Sequence, residues 1–202
     1  TMVIYRDEKG TGDLYESRRT GASWSAPEAM GPTINSKGHE SSAWYSFDRQ
    51  WFYFVSDREG GMGGQDIWRS RWSEDQQGWG EPENLGPKIN TFLDESFPFI
   101  GADGTLYFAS NGHPGLGGLD VQAAPRASDG GYNVVINVGA PVNGPKDDFG
   151  FIIDAAGKTG FFTSNRPGGA GDDDIYSFTM HFPLEQRFLR TRQLIDDEHA
   201  TP

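Results

Sequence analysis

Trp51-Phe52-Tyr53-Phe54-Val55-Ser56, a turn through Gly60, Gly61, Gly63 and Gly64, and Asp66-Ile67-Trp68 form the clearest copy of a pattern written four times. Leu106-Tyr107-Phe108-Ala109-Ser110 leads likewise to Asp120-Val121-Gln122, and Gly160-Phe161-Phe162-Thr163-Ser164 to Asp174-Ile175-Tyr176. A shorter copy is Met2-Val3-Ile4-Tyr5 with Asp13-Leu14-Tyr15. Asp13, Asp66, Asp120 and Asp174 are separated by steps of 53, 54 and 54 residues. A near-constant period of that size marks a repeat architecture.

Each unit reads as four short strands. In the second unit they are Glu40 to Phe47, Trp51 to Val55, Asp66 to Trp72, and Asn84-Leu85. Four short antiparallel strands per repeat, joined by turns, are the pattern of a propeller blade. Trp51 to Val55 and Phe149 to Ile153 do not alternate apolar with polar, which predicts strands covered on both faces. The linking segment repeats too: Trp24-Ser25-Ala26-Pro27 matches Trp79-Gly80-Glu81-Pro82, and Asn35, Asn90 and Asn143 each stand five residues before Glu40, Glu95 and Asp148.

The expected fold is therefore all-β, a propeller segment of four-stranded antiparallel blades over 1–180, holding 14 strands. Two readings remain open. In one, about three and a half blades belong to a six-bladed propeller with further blades ahead of Thr1; in the other, the chain is a four-bladed ring with two trimmed blades. The first is preferred, because Thr1 falls one residue before a strand core. Residues 181–202 leave the repeat and read as a linker or the start of a following domain, with Pro183 able to open a helix.

Composition agrees. The chain has 202 residues, 13% aromatics, 28 Gly and 12 Pro, a mixture of short strands and tight turns. A net charge of −12 argues against nucleic acid or an anionic membrane as partner. No cysteine is present, so disulfides and thiolate chemistry are excluded. No apolar run approaches the roughly 18 residues that span a bilayer, so no direct membrane insertion is expected.

The recurring residues read first as structure. Asp13, Asp66, Asp120 and Asp174, at the mouths of glycine turns, can accept hydrogen bonds from otherwise unpaired backbone N–H groups. With Ser56, Ser110, Ser164, Asn35, Asn90 and Asn143 they form the repeat signature. Gly168-Gly169-Ala170-Gly171-Asp172-Asp173-Asp174-Ile175 formally fits a calcium-binding nonapeptide, but the second unit has Gln65 where a ligand aspartate belongs. Asp172, Asp173 and Asp174 would supply only part of a calcium shell. No metal and no cofactor is therefore assigned.

No Gly-x-Ser-x-Gly and no His-Glu-x-x-His occurs, and the chain is read as non-enzymatic. His113 is singled out because it replaces Glu59 and Pro167 in an otherwise repeated turn. Trp24 and Trp79 recur in register and read as packing. Trp44, Trp68 and Trp72 do not recur and, with His113, are the candidate partner-binding residues.

Two stretches carry a family resemblance. They are Leu106 to Val121, with its Asn111-Gly112-His113-Pro114-Gly115 turn, and Trp79 to Thr91, followed by Asp94-Glu95-Ser96. They resemble the TolB-like, WD-repeat-like propeller repeats of OmpA-family proteins associated with the bacterial outer membrane. The resemblance covers residues 2 to about 178 and looks like the propeller of a periplasmic lipoprotein of type IX secretion. It implies a protein-interaction scaffold in the periplasm, outer-membrane associated, with other envelope proteins as partners. Peptidoglycan would be reached through domains outside this chain. Two rival readings stand beside it: a glycan-acting hydrolase with a carboxylate pair in the propeller channel, and a carbohydrate-binding module with several exposed tryptophans on one face.

Overall fold

The computed structural model describes residues 1–8 and 10–180; the expected linker or following domain at 181–202 lies outside the described residues. Seventeen strands and no helix occur among the described residues. The first unit holds β1 (Met2–Glu8), β2 (Thr11–Ser17), the small hairpin β3 (Arg19–Thr20) and β4 (Ser23–Trp24), and β5 (Glu28–Ala29). The second holds β6 (Glu40–Tyr45), β7 (Trp51–Ser56), β8 (Asp66–Ser73), β9 (Gly78–Trp79) and β10 (Glu83–Asn84). The third holds β11 (Glu95–Ile100), β12 (Leu106–Ser110), β13 (Asp120–Ala124) and β14 (Ile136–Asn137). The fourth holds β15 (Asp148–Ile153), β16 (Thr159–Ser164) and β17 (Asp174–Thr179).

Four antiparallel sheets follow, in the orders β1-β2-β5, β6-β7-β8-β10, β11-β12-β13-β14 and β15-β16-β17. Their 14 strands are those read from the sequence; β3, β4 and β9 are two-residue additions. Register repeats with the sequence: Ser56 pairs with Asp66, Ser110 with Asp120 and Ser164 with Asp174. The first strands β6, β11 and β15 each carry a register shift just after their acidic head residue. An extra residue there bends the strand and re-aims its side chains.

The apolar run of β7 is explained by its two neighbours. Side chains alternate across a strand, so Phe52 and Phe54 turn to the first sheet and join Leu14, Ile34 and Trp68. Tyr53 and Val55 turn the other way, to Ile100, Leu106 and Phe108. A third cluster, with Phe99, Tyr107, Val121, Phe151 and Phe162, lies between the third and fourth sheets. Burying each large side chain contributes about 1.5–3 kcal/mol, so the middle sheets are held from both sides.

The expectation of full coverage for Phe149 to Ile153 does not hold. Ile152 is 38% exposed, and Phe161 and Ile175 on the next two strands are 50% and 77% exposed. The fourth sheet packs against the third on one face, and among the described residues nothing covers the other.

Between the second and third sheets the Tyr53 and Tyr132 hydroxyls meet at 3.2 Å, both rings buried. Burial pushes the Tyr132 hydroxyl well above its usual value of about 10, and Tyr53 adds to the shift. Because the folded value is raised, this contribution to stability is complete below about pH 10 and is lost as pH climbs through the folded value. Burial and Glu16 also raise the Tyr45 hydroxyl, so an alkaline titration followed by tyrosinate absorbance should show lagging groups, one of which Tyr132→Phe removes. Simultaneous ionisation of all tyrosines would disprove the burial.

Candidate functional site

Antiparallel order places the head of each first strand, the end of each second and the start of each third at one end of every sheet. This glycine-turn end carries the polar signature. Glu40 is fully buried. It accepts from Ser36 N–H (2.8 Å), Ser36 Oγ (2.7 Å), Ser56 Oγ (2.6 Å) and the Arg58 guanidinium (3.2 Å). Glu95 repeats the pattern with Thr91 N–H, Thr91 Oγ1 and Ser110 Oγ at 2.7–2.8 Å. Asp148 takes Gly144 N–H and Arg166, each at 2.6 Å; Ser164 Oγ accepts from Arg166 instead. The buried charge of these three strand-head acids is thus matched by donors, whereas Asp66 and Asp120 each keep one buried carboxylate oxygen without a partner.

The asparagines clamp the third strands. Asn90 accepts from Ile67 N–H at 2.9 Å and donates to Ile67 C=O at 3.0 Å. Asn143 does the same for Val121 and Asn35 for Leu14. The aspartates hold the glycine turns: Asp120 accepts from Leu116 and Gly117 N–H at 2.8 and 2.9 Å, Asp66 from Met62 N–H, and Asp174 from Gly171 N–H at 3.2 Å. Glycine is required because an added Cβ would sit 2.6 Å from Asp66 Oδ2 at Gly61, and closer still to the matching aspartate at Gly115 and Gly169. Asp13 has no long turn to hold, since β1 and β2 join directly through Gly10, and it is only half-buried.

The partner-binding candidates do not come together. Trp68 is 7% exposed, packs in the core and donates its indole N–H to Ser56 C=O, so it offers no surface. His113 is a strut: its Nε2 lies 2.8 Å from Ile89 C=O. The Arg58 guanidinium donates to the equivalent Ile34 carbonyl, and Arg166 to that of Val142. Gly112 stands in the arginine position of the third unit because the Thr91 hydroxyl fills that space, and His113 reaches the carbonyl from one residue later. Trp44, near the end of β6, is 41% exposed and meets Phe99 of the third sheet edge-on, whereas Trp72 lies two strands away near the end of β8. Trp24 was read as packing but is 47% exposed, on the β3–β4 hairpin outside the sheet stack.

Other residues build the cavity at the glycine-turn end, which measures about 760 Å³. Its walls include Tyr5, His39, Gln65, Asp94, Phe97 and Asn111, from three consecutive units. Here the repeat breaks. Asp94 N–H donates to Asn111 Oδ1 and Asp147 N–H to Asn165 Oδ1, both at 2.9 Å. In the second unit the same bond runs from His39 N–H to Asp57 Oδ1 at 2.6 Å, with His39 in the aspartate's place and Asp57 in the asparagine's. The His39 ring then reaches Tyr5 OH at 2.9 Å.

Phe97 is the second break. It sits in the β11 bulge at φ +52°, where the fourth unit has Gly150 at φ +61°. A bulky residue in this region is strained, and such strain persists where surrounding structure enforces it, often at functional sites. Its N–H donates to Ser42 Oγ at 2.9 Å and its ring stacks on Phe149. Sequence reading passed over both residues. Aligning the bulges and the residue before each acidic head would have found them. Met62, Phe92 and Leu116, on loops at this end, are 44%, 78% and 57% exposed.

No family model and no curated protein matches the sequence. Among solved structures, the chain is similar to a putative TolB from Agrobacterium tumefaciens (15% identity, TM-score 0.54), covering 88% of this chain and 57% of that one. It is similar to a puromycin-hydrolyzing peptidase from Mycobacterium tuberculosis (16%, TM-score 0.55), covering 89% of this chain and 31% of that one. It is also similar to a thermostable family-43 glycoside hydrolase (14%, TM-score 0.56), covering 89% of this chain and 67% of that one. The chain thus spans little more than half of the TolB-like structure and under a third of the peptidase. The reading of the chain as non-enzymatic is overturned by the hydrolase likeness: this architecture carries glycan hydrolysis in a neighbour. Missing nucleophile and zinc motifs do not exclude activity when a site is assembled from residues scattered over several sheets. What these likenesses establish is the fold, an all-β propeller-like stack of small antiparallel sheets.

Proposed function

We propose that the chain is the propeller part of a bacterial cell-envelope protein, periplasmic and outer-membrane associated, and that its glycine-turn end receives a partner protein. The four units are read as blades of a larger, six-bladed propeller. The observation that carries the reading is the cavity of about 760 Å³, in whose walls His39 and Phe97 depart from the repeat. Exposed Met62, Phe92 and Leu116 on the same end supply apolar anchors. The TolB-like repeats and the likeness to the putative TolB support the envelope assignment. Rigid display explains the economy of the design: the buried carboxylates and asparagine clamps fix the turns, and the turns carry the contacts. In a cross-linked bacterial envelope extract, Phe92→Asp with Leu116→Asp should lose roughly tenfold or more of a partner held by the unaltered chain. Identical capture by both would refute the reading.

Glycan hydrolysis, the chemistry named for the family-43 neighbour, is the second reading. Asp94 places one carboxylate in the cavity wall. Glycoside hydrolysis requires two, about 5–10 Å apart. Sugar release from a neutral glycan, abolished in Asp94→Asn, would favour this reading over the scaffold.

A further inference from the structure

The opposite end of the second sheet carries a polar groove that the reading above does not use. Trp72, near the end of β8, packs edge-on against Trp79 with ring centroids 5.2 Å apart. It belongs to none of the three core clusters. Cavities of about 620 and 270 Å³ flank it, and both share Gln50, Trp72 and Glu74 as walls. The larger adds Trp51, Arg71 and Gln76; the smaller adds Tyr45 and Arg49. Trp51 already has the Arg69 guanidinium 4.4 Å above its ring, which leaves Trp72 as the available platform.

The groove is built before anything enters it. The turn bearing Glu74 and Gln76 is closed by Gln77, at φ +48°, whose side-chain amide donates to Glu74 C=O at 2.7 Å. Gln76 N–H donates to Ser73 Oγ at 3.3 Å. Gln50, Glu74 and Gln76 are exposed, while Trp72 is half-buried.

An indole beside planar amides, carboxylates and a guanidinium suits a sugar ring. The apolar C–H face lies on the indole, and the hydroxyls pair with groups that donate and accept in two prongs. An apolar ligand would strip water from these polar walls without repaying the loss. The smaller cavity balances Glu16 and Glu74 against Arg18 and Arg49, while carboxylates are the commoner charge in the larger cavity, where Glu74, Asp75, Glu81 and the Arg69-paired Glu83 stand with Arg71. That field repels polyanionic chains. We propose that this groove binds a neutral glycan, with Trp72 as the stacking platform and Gln50 and Gln76 as orienting groups.

The test is a titration of the whole chain with xylohexaose, cellohexaose and chitohexaose, read by tryptophan fluorescence and calorimetry. At least one should saturate. Trp72→Ala should weaken that binding roughly tenfold or more, and Trp72→Phe, which keeps a ring, should retain most of it. Gln76→Ala, on the exposed turn, should weaken it a few-fold without touching the core. Phe92→Asp with Leu116→Asp, at the other end, should leave it unchanged, which separates this groove from the partner site. Failure of all three sugars to saturate at millimolar concentration would overturn the proposal. So would unchanged affinity in Trp72→Ala.

Discussion

Replacing Glu40 by alanine is expected to cost about 3–5 kcal/mol of stability and to lower Tm by roughly 10 °C. Glu40 is fully buried, and one of its oxygens gathers Ser36 Oγ, Ser56 Oγ and Arg58. Removing it strands both hydroxyls and half-releases a guanidinium that is 12% exposed and stacked over Phe54. Truncating one partner of a buried ion pair costs more than the pair itself contributes, because the other charge stays desolvated. Glu95 provides the control. Its carboxylate is equally buried but accepts from hydroxyls and an amide, with Gly112 where the arginine would be. Glu95→Ala should therefore be milder, and Glu40→Ala with Arg58→Ala should cost less than the sum of its parts. Equal losses for Glu40 and Glu95 would remove the ion pair from the account.

Asn90→Ala should cost about 2–4 kcal/mol, again by thermal unfolding. The side chain satisfies both backbone groups of Ile67, a residue with no exposed surface, and also donates to Asn84 Oδ1 at 2.8 Å. Alanine leaves the buried Ile67 N–H unpaired and its C=O with only the 3.2 Å bond from Leu85 N–H, at the outer margin of β8, and an unmet polar group carries the full desolvation penalty. Asn35→Ala should be less damaging, because Asn35 is only half-buried and water can replace part of its work. Amide hydrogen exchange gives a second readout: Ile67 should exchange faster in Asn90→Ala. Unchanged protection at Ile67 would mean the clamp is dispensable.

The architecture was legible because the repeat ties local pattern to global packing. Trp51 to Val55 lacks alternation since both of its faces meet neighbouring sheets, and the same reasoning overreached at Phe149 to Ile153, where only one face is met. The 54-residue step located the buried acids and asparagines without revealing their partners. The site was harder to see. His39 and Phe97 are ordinary residues in isolation and become conspicuous only against Asp94, Asp147 and Gly150 in aligned register. His113 showed the opposite trap: a singular residue that restores a bond lost when Gly112 replaced arginine. Trp68 looked free because its spacing did not recur, yet core position is set by which way a strand residue points, and position 68 points inward.

The hydrogen-bond nets at the glycine-turn end bear on how such a chain changes over generations. Asn90 reaches back 23 residues to Ile67, and Glu40 forward 16 to Ser56. Every such tie closes within one period or across one junction. Tandem duplication or loss of a whole 54-residue segment therefore hands each acid, serine and asparagine an intact set of partners, whatever the copy number. An insertion of a few codons between Asn90 and Glu95, by contrast, pulls the clamp and the buried carboxylate out of phase together. Recombination in whole units is the route by which this scaffold can grow or shrink, while single residues such as His39 and Phe97 diverge on it one unit at a time.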